Sequence, residues 1–179
     1  MRTLLSFLSR GRDTARQGAV IYSALVEQAR RPEFYETFDV PDTLDGRFDL
    51  IVLHAGLYLP RLKASRGEGK ALAQAAFDQM FANMEQSLRE LGAGDMSVPK
   101  KIKAMLQAFY GRASAYDKSL KQGDLATLRE ALQRNVYRGA EIAQPKLDAL
   151  ATYVRAASEA LKAAPDEDIV AGTFHWPAP

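Results

Sequence analysis

The chain has 179 residues, 47% hydrophobic and 26% charged, the make-up of a globular protein long enough to bury about 70% of its unfolded surface. It contains no cysteine, which removes disulfides, thiolate metal ligation and thiol catalysis together. Its net charge of +2 is too small to imply nucleic acid by itself, although residues 1–31 hold six arginines against Asp13 and Glu27.

The hydrophobic period is helical almost throughout. Ala15 to Arg30 reads as a first long helix with Tyr22, Leu25 and Ala29 on one face, stopped by Pro32. Phe34, Tyr35 and Phe38 follow as an aromatic connection. Asp42 or Thr43 can cap the next helix, in which Phe48, Ile51, Ala55, Tyr58 and Leu62 form one stripe while Leu50, Leu53 and Leu57 make the other face apolar too. A helix apolar all round belongs at the centre of a fold. Ser65 to Lys70 reads as a loop. Phe77, Met80, Phe81, Met84, Leu88 and Leu91 then recur at helical spacing, up to a stop at Gly92 and Gly94. Ser97 is the expected cap of a following helix with Pro99 in its first turn, and Ile102, Met105, Phe109, Ala113, Tyr116 and Leu120 carry one face to Gly123. Asp124 opens a shorter helix through Leu128 and Leu132. A last helix runs from Pro145 to Ala163. No segment alternates as a strand would, so the expected fold is all-α: a single-domain multi-helix bundle around a central apolar helix. Residues 1–14 form a basic N-terminal segment, 15–164 the helical domain, and 165–179 a proline-rich tail.

No uncharged run approaches the roughly 20 apolar residues that span a bilayer. At the front, Leu4, Leu5, Phe7 and Leu8 stand among Arg2, Arg10 and Arg12. This pattern fits contact with an anionic membrane surface, a short helix docked on the domain or a frayed end, or an import presequence.

Catalytic constellations are scarce. His54 and His175 are the only histidines, and neither has a glutamate three residues before it, so the Glu-x-x-His pattern of diiron bundles is missing. Gly92-Ala93-Gly94 follows a helix, unlike a dinucleotide fingerprint, and no G-x-S-x-G occurs. The expectation is a protein that is not an enzyme and carries no cofactor and no metal.

An ordered set of short motifs carries more information. Phe77, Asp78, Met80 and Phe81 are followed by Leu88-Arg89-Glu90, then by Gly92, Gly94 and Asp95, then by Val98, Lys100 and Lys103, and finally by Phe109-Tyr110-Gly111-Arg112. Upstream stand Arg30-Arg31-Pro32-Glu33-Phe34-Tyr35, Val40-Pro41-Asp42-Thr43, Gly46-Arg47-Phe48 and Leu53-His54. In order and spacing the stretch from Tyr22 to Arg138 resembles the ubiquinol-cytochrome c chaperone family. The resemblance implies a non-enzymatic chaperone that binds newly made cytochrome b and aids assembly of respiratory complex III. It implies work at the cytoplasmic face of the inner membrane in a bacterium, or on the matrix side in mitochondria. Cytochrome b or its apolar segments would be the partner, with an anionic membrane surface and the ribosome as further partners and no DNA expected. The alternative is an RNA- or ribosome-binding helical module using the basic N-terminus and Lys100, Lys101 and Lys103.

A chaperone of a membrane protein needs an apolar groove, and methionine and aromatic side chains suit varied apolar partners. His54, Phe81, Met84, Met105, Phe109 and Tyr110 are therefore the expected partner-binding residues, with core filling as the alternative for each. Arg89, Lys100, Lys101, Lys103 and Arg112 are the expected basic rim. The three lysines oppose the helix dipole at a loss of roughly 0.3–1 kcal/mol each. Gly111 inside a helix loses about 1 kcal/mol relative to alanine, and close approach of another backbone would explain it.

Overall fold

In the computed structural model the backbone is described for residues 2–179 and the side chains for residues 11–179. All regular structure among the described residues is helical. Helix α1 (Arg2–Ala29) runs continuously past the expected start at Ala15. Leu4, Leu5, Phe7 and Leu8 fall within its span, but their side chains, and with them the expected membrane contact, lie outside the described residues. After Pro32 comes a single turn, α2 (Glu33–Glu36), too short for periodicity to reveal. It buries Phe34 edge-on against Phe38, His54 and Tyr153 with ring centroids 5.1–5.8 Å apart.

Helix α3 (Leu44–Ala64) is the central element. Thr43 caps it by accepting the Gly46 N–H at 3.1 Å, and Leu50, Val52, Leu53, Ala55 and Leu62 are fully enclosed. It packs against α1, α4 (Gly69–Glu90), α5 (Val98–Gln122), α7 (Gln144–Ala163) and α8 (Asp166–Ala171). The long helix α1 lies along α4, and Gly18 makes their contact possible. A Cβ there would stand 2.6 Å from the Ala75 methyl and 2.8 Å from the Ala75 backbone. Between α5 and α7, helix α6 (Leu125–Asn135) begins at Asp124, whose carboxylate accepts from the Ala126 N–H at 2.9 Å and the Thr127 hydroxyl at 2.6 Å.

One boundary expectation changes. Ser97 does not cap α5: its hydroxyl donates to the Gly94 carbonyl at 2.8 Å, on the side away from the helix. The tail after Pro165 does not continue α7, but it is held against the bundle. Asp166 receives Arg61 at 2.8 Å and the Arg66 N–H at 3.0 Å, which hold its carboxyl below the usual range. Tyr58 donates to the Ile169 carbonyl at 2.6 Å, and Gln17 reaches Val170 and Ala171. Ile169 is fully buried, and Trp176 lies edge-on over His54 at 5.0 Å.

Candidate functional site

Helices α4 and α5 lie side by side on α3, and their divergence opens a groove of about 560 Å³. Phe48 and Ile51 of α3, Met84, Leu88 and Leu91 of α4, and Met105 of α5 supply its apolar lining. These are positions where helical periodicity turns large side chains inward, yet the separation of the helices leaves Leu91 63% exposed and Leu88 and Met105 half-buried. The polar lining is basic: Arg30, Arg47, Lys101, Arg112 and Arg138 surround the groove, with Asp45 as the one carboxylate among its lining residues.

Three of those cations are tied to acids. Arg47 grips Asp42 through two bonds of 2.6 and 3.2 Å. Arg112 and Arg138 converge on Asp49, a fully buried carboxylate on α3. Arg112 Nη1 donates to Asp49 Oδ1 and Arg138 Nε to Oδ2 at 2.8 Å, while Arg138 also meets Asp45 at 2.8 Å. Burial pushes the Asp49 carboxyl above the ordinary carboxylate range, and the Arg138 and Arg112 guanidiniums oppose that rise. Charged donors on both oxygens hold the group ionised at neutral pH. Arg112 also lies 5.6 Å over the Phe48 ring. Arg138 sits in the left-handed backbone region at φ 55, where a non-glycine residue is uncommon. Arg30 and Lys101 have no ion-pair partner among the described residues.

The surface expected around Phe81, Met84, Met105 and Tyr110 thus divides in two. Met84 and Met105 line this groove. Tyr110, 59% exposed, lines a second concavity of about 690 Å³ with Leu59, Pro60, Lys63 and Phe77. Phe109, though buried, also lines this second concavity, and Phe81 lines neither; both pack on Phe77 in an aromatic cluster, at centroid distances of 5.2 and 4.8 Å. His54 is on neither surface. Its Nδ1–H donates to the Leu50 carbonyl at 2.8 Å, and its Nε2 accepts the Tyr153 hydroxyl at 2.8 Å. Full burial lowers its pKa to about 4, so the ring is neutral. A side chain with both nitrogens engaged in the core has nothing to offer a partner.

The basic rim is likewise redistributed. Arg112 and Lys101 border the groove. Lys100 and Lys103 are exposed outside its lining, and Arg89 pairs with Glu85 at 2.9 Å and with Asp95. Phe109 and Tyr116 are buried and offer no open faces for stacking bases beside the lysines. Arg30, Arg47, Phe48 and Arg138 were not expected at the groove. Arg30 and Arg138 lie in connections and Arg47 in the first turn of α3, where periodicity carries no signal; Phe48 belongs to the periodic stripe of α3, but a stripe does not record which neighbour it faces. Gly111 has nothing within 4 Å of where its Cβ would be, so no close approach inside the chain accounts for it. Among the described residues no group of three His, Asp or Glu side chains is placed to hold a metal, and no helix is long and apolar enough to cross a membrane.

Comparison with known proteins matches this architecture to one family. The family model described as ubiquinol-cytochrome C chaperone matches residues 36–176, reaching well past Arg138 into the tail. A protein of Xenopus laevis named ubiquinol-cytochrome-c reductase complex assembly factor 1 is 28% identical over 87% of this chain and 78% of its own. The human protein of that name is 26% identical over 87% of this chain and 52% of its own; the chain spans about half the length of the human and mouse relatives. A crystal structure described as the Cbp3 homolog from Brucella abortus superposes with a TM-score of 0.84 at 35% identity, covering 98% of this chain and 97% of that one.

Proposed function

The chain belongs to the ubiquinol-cytochrome c chaperone family, and we propose that it is a non-enzymatic assembly factor of ubiquinol-cytochrome c reductase that holds an apolar segment of cytochrome b in the Met84–Met105 groove. The observation that carries this reading is the groove itself, apolar along its floor and basic around its edge. Side chains such as Met84, Met105, Leu88 and Leu91 adapt to the irregular surface of a hydrophobic helix. Occupying them removes apolar surface from water at about 25 cal/mol per Å², and a segment shielded in this way is kept from aggregation until its own subunits replace the contact. The reaction is binding and release, and needs no catalytic group.

We place this work at the membrane surface, on the cytoplasmic side in a bacterium or the matrix side in mitochondria, where a newly made membrane subunit first exposes its apolar segments. Affinity purification of the tagged chain from native membranes tests the reading. Cytochrome b is expected to co-purify, and to do so less with Met84→Asp/Met105→Asp than with the parent chain. Equal recovery with both chains would remove the groove from the function.

A further inference from the structure

The groove has an excess of positive charge and a continuation along α5. Five cations and Asp45 line it, and counting the Asp42 and Asp49 carboxylates held by those cations still leaves two positive charges over. They are the unpaired Arg30 and Lys101. Ala108 and Arg112 belong both to the groove and to an adjoining concavity of about 360 Å³ that passes over Gly111 and Ala115. Ala104, Ala108, Gly111 and Ala115 therefore form one small-sided strip of α5, at spacings of four, three and four.

Gly111 is the unexplained member. It lies inside α5, its φ is not in the left-handed region, and a Cβ would meet nothing within 4 Å, so neither conformation nor internal packing calls for glycine. What a missing methyl permits is another backbone lying close, since the distance between helix axes is set by the side chains at the crossing. An acyl chain has no such requirement.

Resting on the chaperone reading above, we infer that the occupant of the groove is an apolar α-helix lying along α5, its backbone crossing Gly111 and an acidic side chain near its end meeting Arg30 and Lys101. Those two marks are ten residues apart on α5, about 15 Å, so the bound helix spans about three turns. Apolar side chains at i, i+3 and i+7 of such a helix reach Met84, Leu88 and Met105, and the acidic group satisfies the charge that the chain leaves unmatched.

The test uses the full chain and two synthetic 18-residue leucine-rich helical peptides that differ by one glutamate or glutamine near one end, with vesicles of anionic phospholipid as a separate arm. The glutamate peptide is expected to bind about tenfold more tightly than its counterpart. Lys101→Glu is expected to abolish that preference, and Lys100→Glu to leave it. Gly111→Leu is expected to weaken both peptides at least tenfold while leaving the melting temperature unchanged or higher. Equal affinity of the two peptides, failure of both to bind, or indifference to Gly111→Leu would overturn the inference. Vesicle binding that depends on Lys101 but not on Gly111 would assign the charge to lipid and overturn it as well. Cytochrome b recovery distinguishes the levels: if the Met84→Asp/Met105→Asp variant loses it while the peptides fail, the helical acidic occupant is wrong and the groove reading stands.

Discussion

His54 joins three helices through one ring, with Leu50 behind it on α3, Tyr153 across from it on α7, and Gln28 of α1 donating to the same tyrosine hydroxyl at 2.9 Å. The neutral form is the folded form. Because burial lowers the folded pKa to about 4 while the unfolded value is about 6.5, the unfolded chain binds more protons between these limits. Stability is therefore full above about pH 6.5 and falls as pH drops toward 4, by on the order of 3 kcal/mol. Denaturant titrations across that window should show the loss, and His54→Gln should flatten it at a lower overall stability; an unchanged pH slope in the variant would contradict the assignment. The position of His54 on a central apolar helix is legible in the sequence, but its partner lies 99 residues away in the chain, beyond any local pattern. The same limit applies to the lysines. All three read alike in sequence, whereas only Lys101 lines the groove. Lys101→Gln is expected to lower cytochrome b recovery severalfold, while Lys100→Gln and Lys103→Gln leave it unchanged, as quantitative pull-downs will show.

Among the elements, the long helices were legible because each buries a stripe at a 3.6-residue period. The central place of α3 follows from its two apolar faces, and Thr43, Gly123 and Asp124 mark boundaries through their own backbone chemistry. The single turns α2 and α8 were not legible, since four and six residues hold no period. Ser97 failed as a cap because its hydroxyl bonds backward to Gly94. What cannot be read from periodicity is how closely two helices approach, and Gly18 sets that for α1 and α4. Gly18→Val must push the helices apart at Ala75, with an expected loss of about 1–3 kcal/mol read by chemical denaturation. Gly111→Ala should behave in the opposite way. With open space around its Cβ, it should stabilise α5 by up to about 1 kcal/mol; a destabilised Gly111→Ala would mean that the helix itself requires glycine.

For the whole molecule, the tail and the groove have different roles. Residues 165–176 fasten α8 and its extension onto α3 and α1, placing Ile169 in the core and Trp176 against His54. Burial of Ile169 alone contributes about 1.5–3 kcal/mol, so truncation after Ala164 should lower stability by more than this. The groove takes no lining residue from that strap and lies where α3 begins, α4 ends and α5 begins. Its existence was legible only as an excess of methionine and aromatics, because a groove is a separation between helices and sequence records their faces. The most direct measurement is site-specific photo-crosslinking in native membranes, with a benzophenone side chain placed at Met105 in the groove or at Lys118 on the exposed far part of α5. A cytochrome b adduct at Met105 and none at Lys118 is the result expected; adducts of equal yield at both positions, or at Lys118 alone, would contradict the groove as the client site.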